Sequence, residues 1–481
     1  MTDVAVYGAT PAGVAAAVGA REAGAQTVLV EPGAHLGGMV SGGLGWTDVG
    51  DARVLGGFAQ RFYALVAEHY GAPLWGVKGP EPHVAEAILG GLLDGVDVRL
   101  RETELPAAAV TVDASYEGDV LARRGIDHVV GRESRELYGE AWAGRQPAYR
   151  PGKHNFSVVL SPFADDGTLL PWIREPELDE SGWPAERLAE GDGGLQAYGF
   201  RVCLTDRAEN RLPFPEPAGY DPASFELLAR YLAAAEPAAE ELLGLVPNLL
   251  PNGKCDVNSI GPFSLNVLDG SNREYLQGDR AGVRAHHLFY TQSFLYFLAN
   301  DAPARVRDVV ARWGLCADEF TDEDGWPHQL YVRDARRMRG DYVLTERDLT
   351  QSTAHEDVIA LGSYNIDIRE IERTWRYLPE YDRTPAVFNE GYLSVAVAPY
   401  GIPYRALVPK REDAVDMLVP VCVSASHVAF GSVRMEPTFM LLGHAAGLAA
   451  AQAARRSVAV QDVDVVELQE ALHATGQVLS V

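Results

Sequence analysis

The chain has 481 residues and a formal net charge of −26 at pH 7. A chain of this length exceeds one ordinary hydrophobic core, so two domains are predicted. The negative charge argues against nucleic acid and anionic membrane as partners, because both need a positive protein surface. No apolar run reaches membrane length and no basic region precedes the first predicted strand, so the sequence predicts a cytoplasmic protein without a signal peptide or transmembrane helix. Neither a zinc spacing nor a convincing disulfide framework is formed by the four cysteines, Cys203, Cys255, Cys316 and Cys422.

The first predicted elements form a strand, a glycine turn, a helix and a second strand. They cover residues 3–7, 8–13, 14–24 and 27–30, and Glu31 follows directly. In such a unit, unpaired N–H groups at the start of the helix hold a pyrophosphate, and an acid after the second strand accepts ribose hydroxyls. The order of these features predicts a site for the ADP half of a dinucleotide.

Thr10 stands where the usual fingerprint has its middle glycine. That glycine normally lets the backbone approach the pyrophosphate closely, so its replacement weakens the match. Thr10 is a favourable N-cap, however, and Pro11 is a favourable first helical residue. The alternative interpretation is an ordinary strand-turn-helix with glycine at the corner.

A second glycine-dense segment, residues 32–45, follows Glu31. Such a loop favours a flavin over a nicotinamide, because it can run beneath an extended cofactor and bring backbone amides near the isoalloxazine. A flexible surface loop is the alternative, but Leu36, Met39 and Trp46 are too apolar for a solvated linker. His35, just before this loop, is the candidate for a covalent flavin link; covalent and non-covalent attachment both stay open.

The rest of the chain predicts an interrupted cofactor domain. A helix at 81–93 and strands at 96–100 and 107–113 continue the first pattern. Prolines, aromatics and irregular turns then dominate, with helices at 222–235 and 280–300, which predicts an inserted substrate domain. The cofactor pattern resumes with a strand at 417–423 and a helix at 438–456. The predicted domains are residues 1–150 and 395–481 for the cofactor and 151–394 for the insert.

The C-terminal helix is predicted to carry chemistry. It follows residues 434–437, and its N-terminus beside a flavin pyrimidine ring would stabilise the negative charge that reduction creates. Arg434 would add to that effect. The alternative is a packed C-terminal helix with a charge cluster at its start.

Several longer motifs make a resemblance specific. They are residues 7–13, 35–39, 113–119, 131–134, 196–201, 331–333, 336–338, 402–405, 424–427 and 434–437. With these motifs the chain resembles a bacterial family of FAD-dependent oxidoreductases of the glutathione-reductase type, whose members are often mislabelled as xanthan lyases.

The resemblance implies an α/β fold, with a Rossmann-like FAD-binding domain and a large inserted substrate domain, and it implies FAD as the cofactor. No metal is expected, because the adjacent His286 and His287 do not share a helix face. The motifs and the resemblance together predict cofactor contacts from Gly8, Thr10, Pro11, Ala12, Gly13, Glu31, Pro32, Gly37, Gly38, Met39, Ser41, Gly42, Asp113, Ala114, Arg434, Met435, Glu436 and Pro437.

Two departures from the family pattern stand out. Only about nine residues join the strands at 96–100 and 107–113, where the family usually has a longer run with a β-meander, so either the meander is absent or a segment is missing. Arg347 and Arg369 stand where histidines are expected. They indicate a more anionic small-molecule substrate.

A flavin dehydrogenase needs a base for the O–H or N–H proton that leaves with the hydride. His427 is the first candidate, because it lies on the segment expected to pass the flavin and imidazole titrates near neutrality. A buried histidine satisfied by a neighbour is the alternative. Tyr364, Asp367, Arg336 and Arg337 are second candidates, the two arginines as an anchor for a carboxylate or phosphate.

Three function classes follow. The first is a flavin oxidase or dehydrogenase acting on a C–O or C–N single bond of a small polar metabolite. The second is a flavin monooxygenase fed by an external reductant, and the third is a non-catalytic FAD-fold binding module. No second glycine turn for NAD(P)H is visible, which favours the first class. A homo-oligomer is left open.

Overall fold

The structure is a computed structural model, and it describes residues 2–146, 153–180, 184, 187–244, 249–258, 261–351, 353–378 and 383–480. The chain forms two compact units. Unit 1 comprises Met1–Ala141, Arg333–Asp367 and Ser394–Val481, and unit 2 comprises Trp142–Val332 and Ile368–Leu393.

The helices and strands alternate through the first part of unit 1 and become less regular in unit 2. Up to residue 141 they are β1 (Thr2–Tyr7), α1 (Pro11–Glu22), β2 (Thr27–Glu31), α2 (Gly38–Ser41), α3 (Gly57–Tyr70), α4 (Pro82–Leu92), β3 (Asp97–Leu100), β4 (Ala108–Asp113), α5 (Asp119–Arg123), β5 (His128–Val130) and α6 (Arg135–Tyr138). The long middle segment of unit 2 holds β6 (Cys203–Thr205), β7 (Arg211–Leu212), α7 (Glu226–Ala235), α8 (Ala239–Leu243), β8 (Leu249–Leu250), β9 (Lys254–Asp256), α9 (Asn272–Tyr275), α10 (Arg280–Asn300), α11 (Ala304–Val310) and β10 (Gly314–Cys316).

The last third of the chain contributes residues to both units. Its elements are β11 (Arg336–Met338), α12 (Glu346–Thr350), β12 (Val358–Gly362), β13 (Ile366–Ile368), β14 (Glu372–Leu378), β15 (Thr384–Glu390), β16 (Leu393–Val395), β17 (Tyr400–Pro403), β18 (Met417–Leu418), α13 (His427–Val433), α14 (Glu436–Arg456) and α15 (Val465–Ala474).

Unit 1 is built on a five-stranded sheet in the order β18-β4-β1-β2-β3. All four neighbouring pairs are parallel. Parallel pairing requires crossover connections, and α1 supplies the one between β1 and β2. This is the Rossmann-like α/β arrangement that the sequence predicted.

Helix α14 packs directly on α1 through small residues. A Cβ atom on Gly443 would lie 2.1 Å from the Ala12 carbonyl oxygen, and one on Gly447 would lie 2.0 Å from that of Ala16. Separations this short are impossible for real side chains, so both glycines are required for the observed distance between the helices. This contact places the N-terminus of α14 in the same region as the N-terminus of α1.

Several predicted elements end at different residues from those expected. The helix predicted at 280–300 coincides with α10, whereas the strand predicted at 417–423 is only Met417–Leu418. The backbone leaves the sheet there, because Val419 N–H donates to the Leu407 carbonyl and Ser424 N–H to that of Ala406. Residues 101–107 join β3 to β4 without any strand of a meander.

The observed division also differs from the predicted domains. Residues 333–367 were assigned to the insert, but they belong to unit 1. Long-range pairing explains this, since β11 pairs antiparallel with β5 and β12 with β17. The boundary predicted at residues 150–151 lies outside the described residues. The assignment of the two parts to cofactor and substrate stays a prediction.

Unit 2 contains a second five-stranded sheet, in the order β7-β10-β6-β9-β8, whose pairs are antiparallel. On it, Cys203 and Cys316 are free thiols with their sulfur atoms 3.6 Å apart. The Cys316 neighbour and burial raise the pKa of the Cys203 thiol. Their separation of 113 positions along the chain hid this proximity from the sequence analysis.

Within the described part of the chain, no helix is both long enough and apolar enough to cross a membrane. The cytoplasmic location stays a prediction.

The α1–α14 contact generates a stability prediction. Gly447→Ala should lower the free energy of unfolding by about 1–3 kcal/mol, because the added methyl meets the Ala16 backbone and forces the helices apart. Urea denaturation of the FAD-free protein measures this change.

Gly91→Ala is the matched control. Gly91 lies in α4, and nothing lies within 4 Å of the position its Cβ would occupy. The same substitution should here raise the free energy of unfolding by about 0.4–1 kcal/mol, because alanine has a higher helix propensity than glycine and lowers the conformational entropy of the unfolded chain. Equal effects at the two positions would contradict the packing argument.

Candidate functional site

The turn between β1 and α1 is closed by two glycines with different roles. Gly8 has φ of +89°, and a Cβ there would lie 2.9 Å from the Ser115 backbone nitrogen. A Cβ on Gly13 would lie 1.8 Å from the Gly8 carbonyl oxygen. The first glycine permits the turn and the second permits the helix to touch it, which leaves the helix N-terminus facing the end of the sheet.

Thr10 explains how the turn forms without its middle glycine. It is the N-cap of α1, and its Oγ1 accepts from Gly13 N–H at 3.2 Å. The same hydroxyl donates to the Ala114 carbonyl at 2.8 Å. Thr10 therefore caps the helix and ties it to the end of β4, and Pro11 occupies the first helical turn as predicted.

Glu31 ends β2 and closes the turn from the other side. Its Oε2 accepts from Ala9 N–H at 2.7 Å and its Oε1 from Gly33 N–H at 2.6 Å. Burial raises the pKa of this carboxyl, while the two amides oppose that effect. A carboxylate offers roughly four acceptor positions, so these two bonds leave it able to accept hydroxyl groups as well. Pro32, the next residue, is exposed.

The second glycine segment is folded against the first turn. Gly37 N–H donates to the Ala9 carbonyl at 2.7 Å, and Gly37 has φ of +92°. A Cβ on Gly38 would lie 2.7 Å from the Tyr116 hydroxyl and 3.2 Å from the Thr10 Cα. Met39 and Ser41 are buried, so this segment is a packed part of unit 1 and the surface-loop interpretation is wrong.

Ser41 and Gly42 hold the shape of this short helix. The Ser41 hydroxyl donates to the Leu36 carbonyl, and Gly42 N–H donates to the Met39 carbonyl at 3.1 Å. We name the surface formed by Gly8–Gly13, Glu31 and Gly37–Gly42 the cradle.

Tyr116 links the cradle to the C-terminal helix. Met39 N–H donates to the Tyr116 hydroxyl at 3.0 Å, and that hydroxyl donates to Glu436 Oε1 at 2.7 Å. Burial raises the pKa of Glu436 to about 8. Its other oxygen, Oε2, is buried without a hydrogen-bond partner among the described residues.

Asp113 and Ala114 lie at the end of β4, next to the cradle. The fully buried Asp113 carboxylate accepts from the Ser115 hydroxyl at 2.6 Å and from Leu121 N–H at 2.8 Å, and burial raises its pKa. Ala114 bonds through its backbone to Tyr7 and Thr10. These contacts give both residues a supporting role in the structure; their predicted contact with the cofactor stays a prediction.

The corner before α14 carries an ion pair between a buried arginine and a partly exposed aspartate. Arg434 donates to the Asp367 carbonyl at 2.7 Å, and its guanidinium lies 3.2 Å from Asp367 Oδ2. Met435 is the N-cap of α14 and Pro437 lies in its first turn. The predicted motif at 434–437 thus brings a cation and a buried acid, Glu436, to one helix start.

Of the predicted catalytic residues, Tyr364 and Asp367 lie with Arg434 in one cluster. The backbone carbonyl of Tyr364 accepts from the Ser432 hydroxyl at 2.6 Å. Burial raises the pKa of Tyr364, with Asp48 and Asp367 adding to the effect and Arg434 opposing it. Both Tyr364 and Asp367 keep part of their surface exposed. Asp48 belongs to this cluster and was missed, because no motif surrounds it.

His427 is enclosed. It begins α13 with 3% of its surface exposed, and its Nε2 lies 3.2 Å from Asp334 Oδ2. Its backbone N–H donates to Glu133 Oε2 at 2.9 Å. The histidine is thus buried beside an acid, although its Nε2 makes no hydrogen bond of good geometry among the described residues; the role of base stays a prediction.

Arg336 and Arg337 do not act as a pair. They are adjacent in β11, so their side chains point to opposite faces of the strand. Arg337 is fully buried, and its guanidinium donates to Glu133 Oε1 at 2.7 Å and to the Gly131 carbonyl at 2.6 Å. Arg336 donates to the Glu117 carbonyl at 2.8 Å. The prediction that the two arginines together anchor a carboxylate or phosphate is therefore wrong.

The two arginines that replace expected histidines are also placed differently. Arg347 is exposed on α12. Arg369 is buried in unit 2, with its Nε 3.1 Å from Glu370 Oε2. An anionic substrate stays a prediction.

A family model described as FAD dependent oxidoreductase matches residues 3–106 and 95–472. The chain belongs to this family. Its cofactor is FAD, and it is a FAD-dependent oxidoreductase. The two matched ranges meet at 95–106, the connection in which the sequence departs from the family pattern.

Solved structures give only short matches. AlpK is 22% identical over 28% of this chain and 38% of its own, with a TM-score of 0.21. OxyS anhydrotetracycline hydroxylase from Streptomyces rimosus is 17% identical over the same shares, with a TM-score of 0.22. A flavoprotein/dehydrogenase from Cytophaga hutchinsonii is 17% identical over 26% of this chain and 42% of its own, with a TM-score of 0.19. The chain thus spans less than half the length of each, and no curated protein matches it.

The cradle has features that FAD requires. Neighbouring protein atoms exclude side chains at Gly8, Gly13 and Gly38, so the first turn, α1 and α2 pack closely together. A helix N-terminus suits a pyrophosphate, and the Glu31 carboxylate suits ribose hydroxyls. We propose that these groups hold the ADP half of FAD. His35 is engaged by Glu86, with its Nδ1 3.2 Å from Oε1.

The ribose assignment predicts that Glu31→Arg weakens FAD binding. Hydrogen bonds to a charged group are worth about 1.5–3 kcal/mol each, so the dissociation constant should rise about tenfold or more. Fluorescence titration of the FAD-free protein measures it. Glu68→Arg, on the exposed face of α3, is the control and should bind FAD normally. Unchanged affinity in Glu31→Arg would rule out the assignment.

The His35 contact predicts that the flavin is not covalently bound. Acid precipitation of the yellow protein should leave the flavin in the supernatant, because the imidazole is already paired with Glu86. Flavin that remains in the pellet, and is released into the supernatant by His35→Ala, would show the opposite.

Proposed function

We propose that the protein is a flavin-dependent dehydrogenase or oxidase that removes hydride from a C–O or C–N single bond of a small polar metabolite. The observation that carries this proposal is the cluster of Tyr364, Asp367 and Arg434 just before α14. Arg434 lies two positions before Glu436, which is linked to the cradle. A hydride-abstracting site needs a group to receive the accompanying proton, and this cluster offers one.

FAD, when bound, supplies the hydride acceptor. The residues of the cluster then have distinct tasks. The Asp367 carboxylate is proposed to receive the proton of the substrate hydroxyl or amine. Arg434, whose guanidinium lies 3.2 Å from Asp367 Oδ2, fixes the position of that carboxylate. The Tyr364 hydroxyl keeps its proton, because burial and a hydrogen bond to Asp48 raise its pKa, and its oxygen is proposed to accept a hydrogen bond from the substrate.

His427 is the competing candidate for the base. Its burial beside Asp334 keeps it from reaching a substrate without rearrangement, whereas Tyr364 and Asp367 are partly exposed. Because of this difference in exposure, we prefer Asp367 to His427 as the base.

An anaerobic titration tests the reaction class. Candidate alcohols and amines are added to the oxidised protein, and the loss of flavin absorbance is followed. Bleaching by substrate alone supports the proposal. Bleaching only when NAD(P)H is present selects a monooxygenase, and purified protein that neither contains nor binds flavin selects a binding module of another kind.

Paired variants test the base. Asp367→Asn should slow anaerobic flavin reduction by about 10²–10⁴-fold and still bind FAD, because the predicted anchors lie in the cradle. Asp97→Asn, an exposed acid on β3, should change nothing. Stopped-flow absorbance measures the rate. A wild-type rate in Asp367→Asn combined with a comparable loss in His427→Ala would transfer the role to His427.

A further inference from the structure

Glu436 is an acid enclosed at the start of the longest buried helix of unit 1. It is 5% exposed and occupies the first turn of α14. Its Oε1 accepts the Tyr116 hydroxyl at 2.7 Å, and that hydroxyl in turn accepts Met39 N–H at 3.0 Å. Hydrogen bonds thus lead from the Met39 amide of the cradle, through the Tyr116 hydroxyl, to the Glu436 carboxyl.

We propose that Glu436 holds a proton in the resting protein, and that losing this proton weakens the binding of FAD. Glu436 would act on the cofactor indirectly, through Tyr116 and the Met39 amide, and this role rests on the proposed cradle. The proton passes to solvent when Glu436 ionises, and a negative charge then stands beside a site for an anionic pyrophosphate.

The surroundings of the two carboxyl oxygens favour a neutral acid. Tyr116 receives a hydrogen from Met39, so its own hydrogen points to Oε1. Oε2 is buried and has no partner among the described residues. An unpartnered oxygen of an ionised carboxylate buries charge without compensation, which costs more than leaving the O–H of a neutral acid unpartnered.

No cation offsets the charge within the geometry described. Arg434, two residues before Glu436, donates to the Asp367 carbonyl and lies 3.2 Å from the Asp367 carboxylate. The dipole of α14 favours an anion at this position, but burial dominates and raises the pKa of Glu436 to about 8.

The other elements packed on α14 carry few charges near its first turn. α3 contributes Tyr63, whose pKa is raised chiefly by burial and further by Glu436 and Asp48. β4 ends at the buried Asp113, and β1 ends at Tyr7, which faces Arg123. β12 and β18 carry only apolar residues and glycine. The charged groups of α1 and α15 lie toward the far end of α14: Glu22 beside His444, and Glu467 beside Arg455 and Arg456.

The sign of the effect follows from linkage. An acid with a raised pKa binds its proton in the folded state at pH values where the unfolded chain has lost it. The stability of the FAD-free protein should therefore fall as pH rises from about 4.5 to about 8, and Glu436→Gln should remove this part of the dependence. FAD favours the neutral form, so its affinity should fall above about pH 8.

The test measures the FAD dissociation constant from about pH 6.5 to about pH 9. For the wild type, the dissociation constant should be constant below about pH 8 and rise at higher pH. The total rise should be about tenfold for each unit by which bound FAD raises the pKa of Glu436 further. In Glu436→Gln, which mimics the protonated acid, it should change by less than about twofold over the range. Glu68→Gln is the surface control and should follow the wild type.

Tyr116→Phe separates proton linkage from a merely structural role. The Tyr116 hydrogen bond lowers the pKa of Glu436, so its removal should shift the rise in the dissociation constant to higher pH. A structural defect would instead weaken binding equally at every pH. Equal pH dependence in the wild type and in Glu436→Gln would overturn the inference, even if FAD binds well.

Failure of the cradle itself would look different. Glu31→Arg would then retain FAD, and the stability of the FAD-free protein would still respond to Glu436→Gln. The two outcomes are thereby distinguished.

Discussion

The close approach of α1 to its surroundings is the constraint on which unit 1 depends. A Cβ at Gly13 would lie 1.8 Å from the Gly8 carbonyl oxygen, and a Cβ at Gly443 would lie 2.1 Å from that of Ala12. The helix is therefore pressed between the turn that precedes it and α14. Because both contacts involve backbone atoms, rotamer changes cannot relieve a larger side chain at either position. The two helix starts meet at the cradle for this reason.

Thr10 shows how the same constraint is met by different chemistry. The absent middle glycine would have admitted a ligand by lacking a side chain. Here the side chain is turned inward, where its hydroxyl caps Gly13 N–H and donates to the Ala114 carbonyl. The turn thus gains two hydrogen bonds while the side chain is 95% buried. A substitution that weakens the sequence fingerprint preserves its geometry.

Local patterns predicted the first half of unit 1 well, because each element there depends on neighbours close in sequence. The strand, turn and helix at residues 2–22 agree closely with expectation, and so does the helix at 280–300 in unit 2. Residues 333–367 were misassigned because their partners lie up to two hundred positions away, as when β11 pairs with β5. The Glu436–Tyr116 contact joins residues 320 positions apart, so no spacing rule could reveal it, although both residues lie in recognised motifs.

Burial sorts the titratable groups near the cofactor into those that build the site and those that can react. Arg337 with Glu133, and His427 with Asp334, are enclosed pairs, and removing one partner would leave the other buried without compensation. Such pairs fix the segments that carry them. Tyr364 and Asp367 are partly exposed and lie beside Arg434, so a ligand can reach them. Glu436 is intermediate: it is enclosed like the first group, but it lacks the cation that would fix its charge. A buried acid without a counter-ion stays neutral by keeping its proton. Its ionisation therefore responds to any negative charge brought to the cradle.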